Sequence, residues 1–362
     1  MTTPRSGGSE ADAGGVRVAF DAMGGDHGPT EVVPGVLDYA RAHPSDELIL
    51  VGDTEVVSRI AGSLPANVRI VHAGSVVGMD EHPALALREK RDSSIVVAAD
   101  LVRNGEADAV VTAGHTGAGM AAAILRIGRL AGVERPGLAV QMTTEAGPLV
   151  LIDIGANPDS TPEHLAQYAR MGAIFAERVL GVADPRVALL SIGEEKGKGD
   201  ARIQRATALL DSSTLRFVGN VEGRDLAKHL ADVVVTDAVA GNVVIKFFEG
   251  LSTFIFDLWR AEFGGSWRGR LAYLLMRPGI ARIREVFDYE THGGSPLLGV
   301  KGTVIITHGS ARRRMIGFAC DVAARTARAR VPELIAEALA QDNVRPAAAA
   351  APPVETEQEV AT

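Results

Sequence analysis

The residues best suited to chemistry lie where predicted buried strands give way to glycine-bearing loops. The clearest case is Val233–Val235, a β-branched run typical of a strand buried on both faces, followed by a polar turn with Asp237 and Gly241-Asn242. From Val243 the apolar spacing becomes helical, and this predicted helix carries Lys246. Ligands of open α/β sheets collect at the carboxyl ends of strands, and a helix N-terminus favours anions. The stretch therefore predicts an anion-binding loop, although an isolated Gly-Asn turn is also a common plain connection.

Other strand ends repeat this composition, which strengthens the functional interpretation. The predicted strands Val16–Asp21 and Ala107–Thr112 both end in short loops of glycine with polar residues. The residues of these two loops are Gly24, Gly25, Asp26, His27, Gly114, His115, Thr116 and Gly117. Because glycine has no side chain, such a loop lets backbone amides approach a ligand closely. Strand ends of this kind recur along the chain more often than connection geometry alone requires.

Motif analysis argues against several cofactors and mechanisms. The chain lacks both G-x-G-x-x-G after a strand and G-x-x-x-x-G-K-[ST], so neither a dinucleotide nor a nucleoside triphosphate is indicated. His115 has no second ligand at helical spacing, and Cys320 is the single cysteine, so we expect no metal site and no disulfide. The nucleophile motif G-x-S-x-G is also missing. We therefore expect no cofactor and no covalent intermediate on serine or cysteine.

Composition is that of a large globular protein of the cytoplasm. The 362 residues, 46% of them hydrophobic, can bury a large core. The formal net charge of −8 argues against nucleic acid as a partner, because nucleic-acid binders are usually basic. The N-terminus has no apolar core typical of a signal peptide, and no run of 18 apolar residues appears. We therefore expect no membrane-spanning segment.

Strands and helices alternate through most of the chain, which predicts a single α/β domain over residues 16–342. Within it, Leu138–Met142 and Leu149–Asp153 flank a turn and predict a β-hairpin. The ends of the chain, residues 1–15 and 343–362, are polar or alanine-rich and are predicted to be disordered tails.

Residues 251–290 depart from this alternation. They hold most of the aromatic residues and fit two helices joined at Gly264-Gly265-Ser266. Interleaved arginines are Arg260, Arg268, Arg270, Arg277, Arg282 and Arg284. An apolar stripe beside them, formed by Trp267, Leu271, Leu274 and Leu275, suits the surface of an anionic membrane. A dimer interface or an ordinary core stripe would show the same pattern, so both alternatives stay open.

Seven sequence blocks, in order along the chain, form a family signature. They are A-F-D-A-M-G-G-D-H-G-P at Ala19–Pro29, A-D-A-V-V-T-A-G-H-T-G-A at Ala107–Ala118, L-I-D-I-G-A-N at Leu151–Asn157, S-I-G-E-E-K-G-K-G at Ser191–Gly199, G-N-V-E-G-R-D at Gly219–Asp225, the stretch Ala231–Gly250, and H-G-G-S-P-L-L-G-V at His292–Val300. Together they resemble the bacterial phosphate acyltransferase family, the acyl-ACP:phosphate acyltransferases of the PlsX type. Two positions depart from the usual pattern: His115 stands where the family usually has Asn, and Ala238-Val239 where it usually has Gly-Phe.

The resemblance implies a fold similar to the isocitrate dehydrogenase and phosphotransacetylase group. This is a three-layer α/β/α unit around a large mixed sheet, with residues 251–290 as a helical hairpin excursion. It implies transfer of a fatty acyl group from acyl-ACP to inorganic phosphate, giving acyl-phosphate for glycerolipid and phospholipid synthesis. It also implies a homodimer, peripheral membrane contact, and delivery of product to an acyl-phosphate:glycerol-3-phosphate acyltransferase at the membrane.

The implied reaction needs an anion cradle, a donor for the thioester oxyanion and a groove for the acyl chain. Phosphate dianion is a ready nucleophile, and a thiolate leaves easily because a free thiol has a pKa of only about 8.5. We assign the cradle to the backbone of Gly24-Gly25 and Gly114–Gly117. Lys198 supplies its charge, and the family pattern favours it over Lys196. Asn242 is the predicted oxyanion donor.

Other candidate ligands are polar residues of the same loops and of the following helix. The second choices for catalysis are Lys246 and His27. The remaining candidates for phosphate or substrate binding are Asp26, His115, Thr116 and Asn157. Asn157 also fits a role in holding its loop.

Docking of an acidic carrier protein to an acidic enzyme needs a local basic patch. Arg312–Arg314, in the first turn of a helix predicted to be capped by Ser310, and the arginines of residues 251–290 are the candidates. Two rival functions remain open. One is an acyl-CoA:phosphate transferase of the phosphotransacetylase kind, and the other is a non-catalytic scaffold that recruits lipid-synthesis enzymes to the membrane.

Overall fold

The strands and helices of the structure, a computed structural model that describes residues 14–144 and 146–344, follow the predicted alternation. The strands are β1 Arg17–Asp21, β2 Glu47–Gly52, β3 Val68–His72, β4 Ala109–Thr112, β5 Gly137–Thr144, β6 Gly147–Ile152, β7 Val187–Leu190, β8 Phe217–Val221, β9 Val233–Val235, β10 Ser295–Leu298 and β11 Thr303–Ile306. The helices are α1 Pro29–Ala42, α2 Thr54–Ala61, α3 Pro83–Glu89, α4 Ser94–Arg103, α5 Thr116–Ala122, α6 Pro162–Arg178, α7 Ala201–Asp211, α8 Ala238–Gly264, α9 Trp267–Phe287, α10 Arg313–Arg328 and α11 Val331–Val344. The predicted tails lie outside the described residues, except for Gly14, Gly15 and the end of α11.

All these strands belong to one mixed sheet in the order β3-β2-β1-β4-β11-β10-β5-β6-β9-β7-β8. β1, β2, β3, β4 and β11 are parallel to one another, and so are β6, β7, β8 and β9. β10 and β5 join the two sets through antiparallel pairs, and β5 with β6 is the predicted β-hairpin. The two parallel sets therefore point in opposite directions.

The carboxyl ends of both sets meet near the middle of the sheet. Ile306, the last residue of β11, pairs with Ser295 of β10. Further along β10, Leu297 pairs with Leu138 of β5. The next residue of β5, Ala139, pairs with Ile152, which is the last residue of β6. The loops that leave the two sets thus emerge close together, and this is where ligands of α/β sheets bind.

Alternation along the strands explains the layers. In β1, Val18 and Phe20 face α1 and α10, whereas Ala19 faces α4. Helices α6, α7 and α11 cover one face of the second parallel set. The predicted three-layer α/β/α arrangement around a large mixed sheet is confirmed.

Helix α8 begins earlier than the sequence pattern predicts. Gly241-Asn242 lies inside its first turns rather than in a loop, so that prediction was wrong. Asp237 caps the helix, because its Oδ1 accepts hydrogen bonds from two amides of the first turn at 2.9 and 3.0 Å. Packing requires the glycine, since a Cβ at Gly241 would lie 2.0 Å from the carbonyl oxygen of Asp153. Gly241 was therefore predicted to be a turn residue, although it is a helix residue that close packing requires to be glycine.

Helix α10 begins later than predicted. Its N-cap is Arg312, not Ser310. The Ser310 hydroxyl instead lies 2.7 Å from Nδ1 of His308, so it orients a side chain rather than a helix end.

Helices α8 and α9 form the predicted hairpin, joined at Gly264-Gly265-Ser266. Leu251 is not a boundary, because α8 continues through it without a break. Within the part of the chain described, α8 is the one helix long and apolar enough, by length and composition, to cross a membrane. The sequence predicted no such helix because it has no unbroken run of 18 apolar residues. Lys246 and Glu249 interrupt the apolar residues of α8, but the mean hydropathy of the helix stays high enough for a membrane span.

Candidate active site

A cavity of about 320 Å³ lies where the two parallel sets of strands meet. The polar residues that line it are Thr116, Asn242, Lys246, Glu249, His292, Ser295, Thr307 and His308. The apolar residues are Leu138, Val140, Ile154, Ile245, Ile306 and Met315. One cavity thus offers hydrogen-bonding and cationic groups together with apolar surface.

The loops after β1 and β4 are held together by a buried carboxyl group. Thr112 Oγ1 donates to Asp21 Oδ2 at 2.7 Å and accepts from the amide of Gly114 at 3.0 Å. Burial raises the pKa of Asp21 above its ordinary value, although hydrogen bonds from the Ser94 and Thr112 side chains and from the amides of Met23 and Gly24 oppose the shift. A Cβ at Gly24 would lie 2.8 Å from the Gly114 nitrogen. The two loops therefore pack backbone against backbone.

The loop after β11 packs against the same pair of loops. The amide of Asp26 donates to the carbonyl oxygen of Gly309 at 2.8 Å. Gly25 has a φ of +95°, and a Cβ there would lie 3.0 Å from the same oxygen. The structure thus brings together the two glycine loops that the sequence singled out, along with a third that follows β11.

His115 caps helix α5. Its Nδ1 accepts from the amide of Gly117 at 3.0 Å, and Thr116 follows as the first residue of the helix and lines the cavity. An asparagine side chain can make the same hydrogen bond, which explains why His115 can stand where the resembled family usually has Asn.

The opposite wall is built on Asp153, just after β6. Its Oδ1 accepts from the amides of Leu138, Gly155 and Ala156, and its Oδ2 from the amide of Asn157. Burial raises the pKa of this carboxyl group, and the four amides oppose the rise. The side-chain nitrogen of Asn157 donates to Pro136 O and to Tyr168 Oη, each at 2.6 Å. This side chain therefore holds the loop, and it does not line the cavity.

Helix α8 presents one face to the cavity. Asn242, Ile245, Lys246 and Glu249 recur at helical spacing and all line it. The close approach of Gly241 to Asp153 sets the depth of this face. With Thr116 of α5, Asn242 and Lys246 make three predicted functional residues that line the cavity.

Lys246 is the centre of a polar cluster. Its Nζ lies 2.8 Å from Glu249 Oε2 and 3.0 Å from Nε2 of His308. His308 lies two residues after the end of β11, and Ser310 contacts its other nitrogen. Neither His308 nor Glu249 was among the predicted site residues. The available signal was a His-Gly pair just after a buried strand, the reverse of the Gly-His pair at Gly114-His115.

His292 is a second histidine that sequence reasoning missed. It is 5% exposed, lines the cavity, and its Nε2 lies 3.5 Å from the Thr143 hydroxyl. Burial lowers its pKa to about 4, although the charges of Asp288 and Glu249 oppose the shift. This histidine is therefore neutral at physiological pH.

Lys198 and His27 do not line the cavity. Lys198 is exposed on the loop between β7 and α7. That loop adjoins the start of α8, because Arg202 in the first turn of α7 binds Asp237 at 2.8 Å. The His27 carbonyl accepts from the Thr30 hydroxyl at the start of α1. Over the described residues, no group of three or more His, Cys, Asp or Glu side chains is placed to hold a metal ion.

Comparison with known proteins identifies the family. A family model described as "Fatty acid synthesis protein" matches residues 16–334. A phosphate acyltransferase of Desulfitobacterium hafniense (strain DSM 10664 / DCB-2) is 48% identical over 311 residues, covering 85% of this chain and 93% of that protein. The chain belongs to the phosphate acyltransferase family. A phosphate acyltransferase of Myxococcus xanthus (strain DK1622) is 46% identical over 307 residues, covering 83% and 87%.

The predicted family and enzyme class are thereby confirmed, and the chain is an acyltransferase that uses phosphate. Solved structures support the fold. A phosphotransacetylase from Streptococcus pyogenes superposes with a TM-score of 0.57 at 17% identity, over 86% of this chain and 94% of that chain. A branched-chain phosphotransacylase from Enterococcus faecalis V583 gives 0.52 at 16%, over 86% and 99%.

The cavity of this phosphate acyltransferase has two unlike kinds of lining. Lys246, Asn242 and the hydroxyl of Thr116 supply a cation and neutral hydrogen-bonding groups, which suit a phosphate and a developing oxyanion. Leu138 and Val140 of β5 and Ile245 of α8 supply a surface that suits an acyl chain.

Proposed function

We propose that this phosphate acyltransferase transfers a fatty acyl group from acyl-ACP to inorganic phosphate, releasing acyl-phosphate and the free carrier thiol. The observation that carries the proposal is the lining of the 320 Å³ cavity, where six apolar side chains stand beside a lysine, an amide and hydroxyl groups. The attacking phosphate needs the polar set, and the acyl chain needs the apolar set.

Two cations and one amide carry the catalytic proposal. Lys246 attracts the phosphate dianion, and Asn242 donates to the thioester oxygen as negative charge develops on it. Lys198 stays in the proposal as a second cation, since its loop adjoins the start of α8 through the contact between Arg202 and Asp237. The glycine loops after β1 and β4 stay in the proposal through Thr116, their residue that lines the cavity.

The carrier protein is proposed to dock beside α10. Of the three predicted arginines, Arg313 binds Asp38 and Arg314 binds Asp288, so acidic residues already neutralise both charges. Arg312 is exposed at the N-cap, and Met315 of the same helix lines the cavity. Arg312 is therefore the best-placed arginine of the three for an acidic carrier whose thioester must enter the cavity.

We also propose that the protein is a homodimer. Helix α8 carries an exposed stripe with the spacing of a helix–helix seam. The stripe consists of Val239, Val243, Phe247, Phe254 and Leu258, which are 56–69% exposed. A second copy of the chain would cover this apolar surface.

The tip of the hairpin is proposed to contact the membrane from the cytoplasm. On α9, Trp267, Leu271, Leu274 and Leu275 are 50–75% exposed. Arg268 and Arg270 lie beside them and would favour anionic lipid. Acyl-phosphate is apolar at one end and hydrolytically labile. Its release near the membrane would therefore suit an acyl-phosphate:glycerol-3-phosphate acyltransferase as the next enzyme.

The decisive experiment supplies phosphate in excess and compares acyl-ACP with an acyl-CoA of the same chain length. Hydroxylamine trapping of acyl-phosphate measures the product. We expect efficient turnover of acyl-ACP. A strong preference for short acyl-CoA would favour the phosphotransacetylase-like alternative, and no product from either donor would leave only the scaffold.

A further inference from the structure

His308 occupies the point where the two walls of the cavity meet. It follows β11, and its neighbour Gly309 accepts the amide hydrogen of Asp26 from the loop after β1. Its Nε2 contacts Lys246 Nζ of α8, on the other wall, at 3.0 Å. Its side chain is 36% exposed, so a substrate in the cavity can touch it.

Three contacts bear on the proton of His308. Nδ1 lies 2.7 Å from Ser310 Oγ and 3.3 Å from the Ser310 amide nitrogen, and the Lys246 ammonium, 3.0 Å from Nε2, can only donate. We assign the proton to Nδ1, with Ser310 Oγ as its acceptor, because the ammonium needs an acceptor at Nε2 and the Ser310 amide contact is the longest of the three. The lone pair of Nε2 is then directed at the cavity. When phosphate takes the hydrogen bonds of Lys246, this lone pair becomes free.

The proposed reaction moves one proton that no group assigned so far handles. The C–O bond forms between an oxygen of HPO₄²⁻ and the thioester carbon, and the C–S bond breaks with its electron pair on sulfur. The products are the dianionic acyl-phosphate and the carrier thiol. The hydrogen of the phosphate must therefore end on sulfur.

We infer that His308 carries this proton. This inference rests on the proposed acyl transfer to phosphate. Nε2 takes the proton from the phosphate hydroxyl as the C–O bond forms and delivers it to sulfur as the C–S bond breaks. His308 is thus a catalytic residue, and Ser310 is a positioning residue that acts through Nδ1. A positioned acid–base group of this kind contributes typically about 10²–10⁴-fold to rate.

The test uses leaving groups of different acidity with His308→Gln. With acyl-ACP and phosphate, we expect kcat to fall by about 10²-fold or more, while the KM for phosphate changes by less than about threefold. With the same acyl group on thiophenol, whose thiolate leaves without a proton, the loss should shrink by at least about tenfold. A loss equal for both leaving groups, or confined to the phosphate KM, would overturn the proton-carrying role.

Two further variants keep the test interpretable. Ser310→Ala leaves the imidazole in place, and we expect it to lower kcat by about tenfold with the same dependence on leaving group. If His308→Gln does not fold, Ser310→Ala decides, and an undiminished kcat in that variant would count against the inference. His72→Gln, at the end of β3 beside Thr54, is the matched control and should be unchanged. Failure of the wild-type protein to make acyl-phosphate would instead refute the proposed function.

Discussion

The two ends of helix α8 reverse the usual distribution of polar and apolar residues. At its start, Asn242, Lys246 and Glu249 line a cavity in the protein. Beyond this region, Phe254 and Leu258 are 63% and 56% exposed. Folding stability alone explains neither arrangement, because polar groups favour solvent and large apolar groups favour the core. The first end is organised for a ligand, and the second leaves a surface for a partner or a membrane.

The largest expected effect is at the hairpin. Leu271→Glu combined with Leu274→Glu removes two exposed side chains that would each contribute about 1.5–3 kcal/mol when buried in lipid. We expect loss of at least 100-fold in binding to anionic liposomes in a flotation assay, with soluble turnover of acyl-ACP intact. If the variant dissociates to monomers or unfolds, the stripe belongs to an interface or core.

The site end should show the converse result. Asn242→Ala and Lys198→Ala should each lower turnover by about 10²-fold, the effect of removing a positioned donor, while liposome binding is unchanged. Steady-state kinetics with acyl-ACP and phosphate measures this effect. Wild-type turnover in either variant would remove that residue from the catalytic group. Lys198 is the sharper case, because its side chain lies outside the cavity lining.

The difference between local signals and contacts distant in sequence explains what the sequence could predict. Strand ends, the hairpin turn and the glycine loops followed from local composition, because turn chemistry and periodicity are local signals. Gly241 did not, because the need for glycine comes from Asp153, which is distant in sequence. His308 and His292 were missed for the same reason. Their partners Lys246 and Thr143 belong to other elements, so no local spacing reveals the cluster.

His292 predicts a pH dependence of stability at the site end. Its pKa falls from 6.5 to about 4 on folding, so the unfolded chain binds this proton more tightly. Above pH 6.5 this histidine therefore does not reduce the stability of the folded protein. As pH falls from 6.5 towards 4, the unfolded chain takes up the proton and the free energy of unfolding falls by up to about 3 kcal/mol. Urea unfolding of His292→Gln should show a weaker loss of stability across this range than the wild type. An unchanged pH dependence would contradict the buried neutral state.

Two glycines of α8 provide a matched pair for stability. A Cβ at Gly241 would collide with Asp153 O, whereas a Cβ at Gly250 meets nothing within 4 Å. We expect Gly241→Ala to lower the free energy of unfolding by about 2 kcal/mol. Gly250→Ala should raise it by about 0.5–1 kcal/mol, because alanine favours helix. Equal effects at the two positions would mean that the start of α8 does not pack as described.

The smallest expected effect decides which end of the molecule receives the carrier protein. Arg312 lies beside the cavity, and Arg270 lies in the hairpin. We expect Arg312→Glu to raise the apparent KM for acyl-ACP by about fivefold, close to 1 kcal/mol, with the KM for phosphate unchanged. Arg270→Glu should leave both KM values near wild type. A carrier docked at the hairpin would hold its thioester away from Lys246, so we do not expect productive docking there. The reverse outcome would place carrier docking at the hairpin and would tie substrate delivery to the end proposed to contact the membrane. Raising the salt concentration should weaken the Arg312 effect, since it arises from an exposed charge.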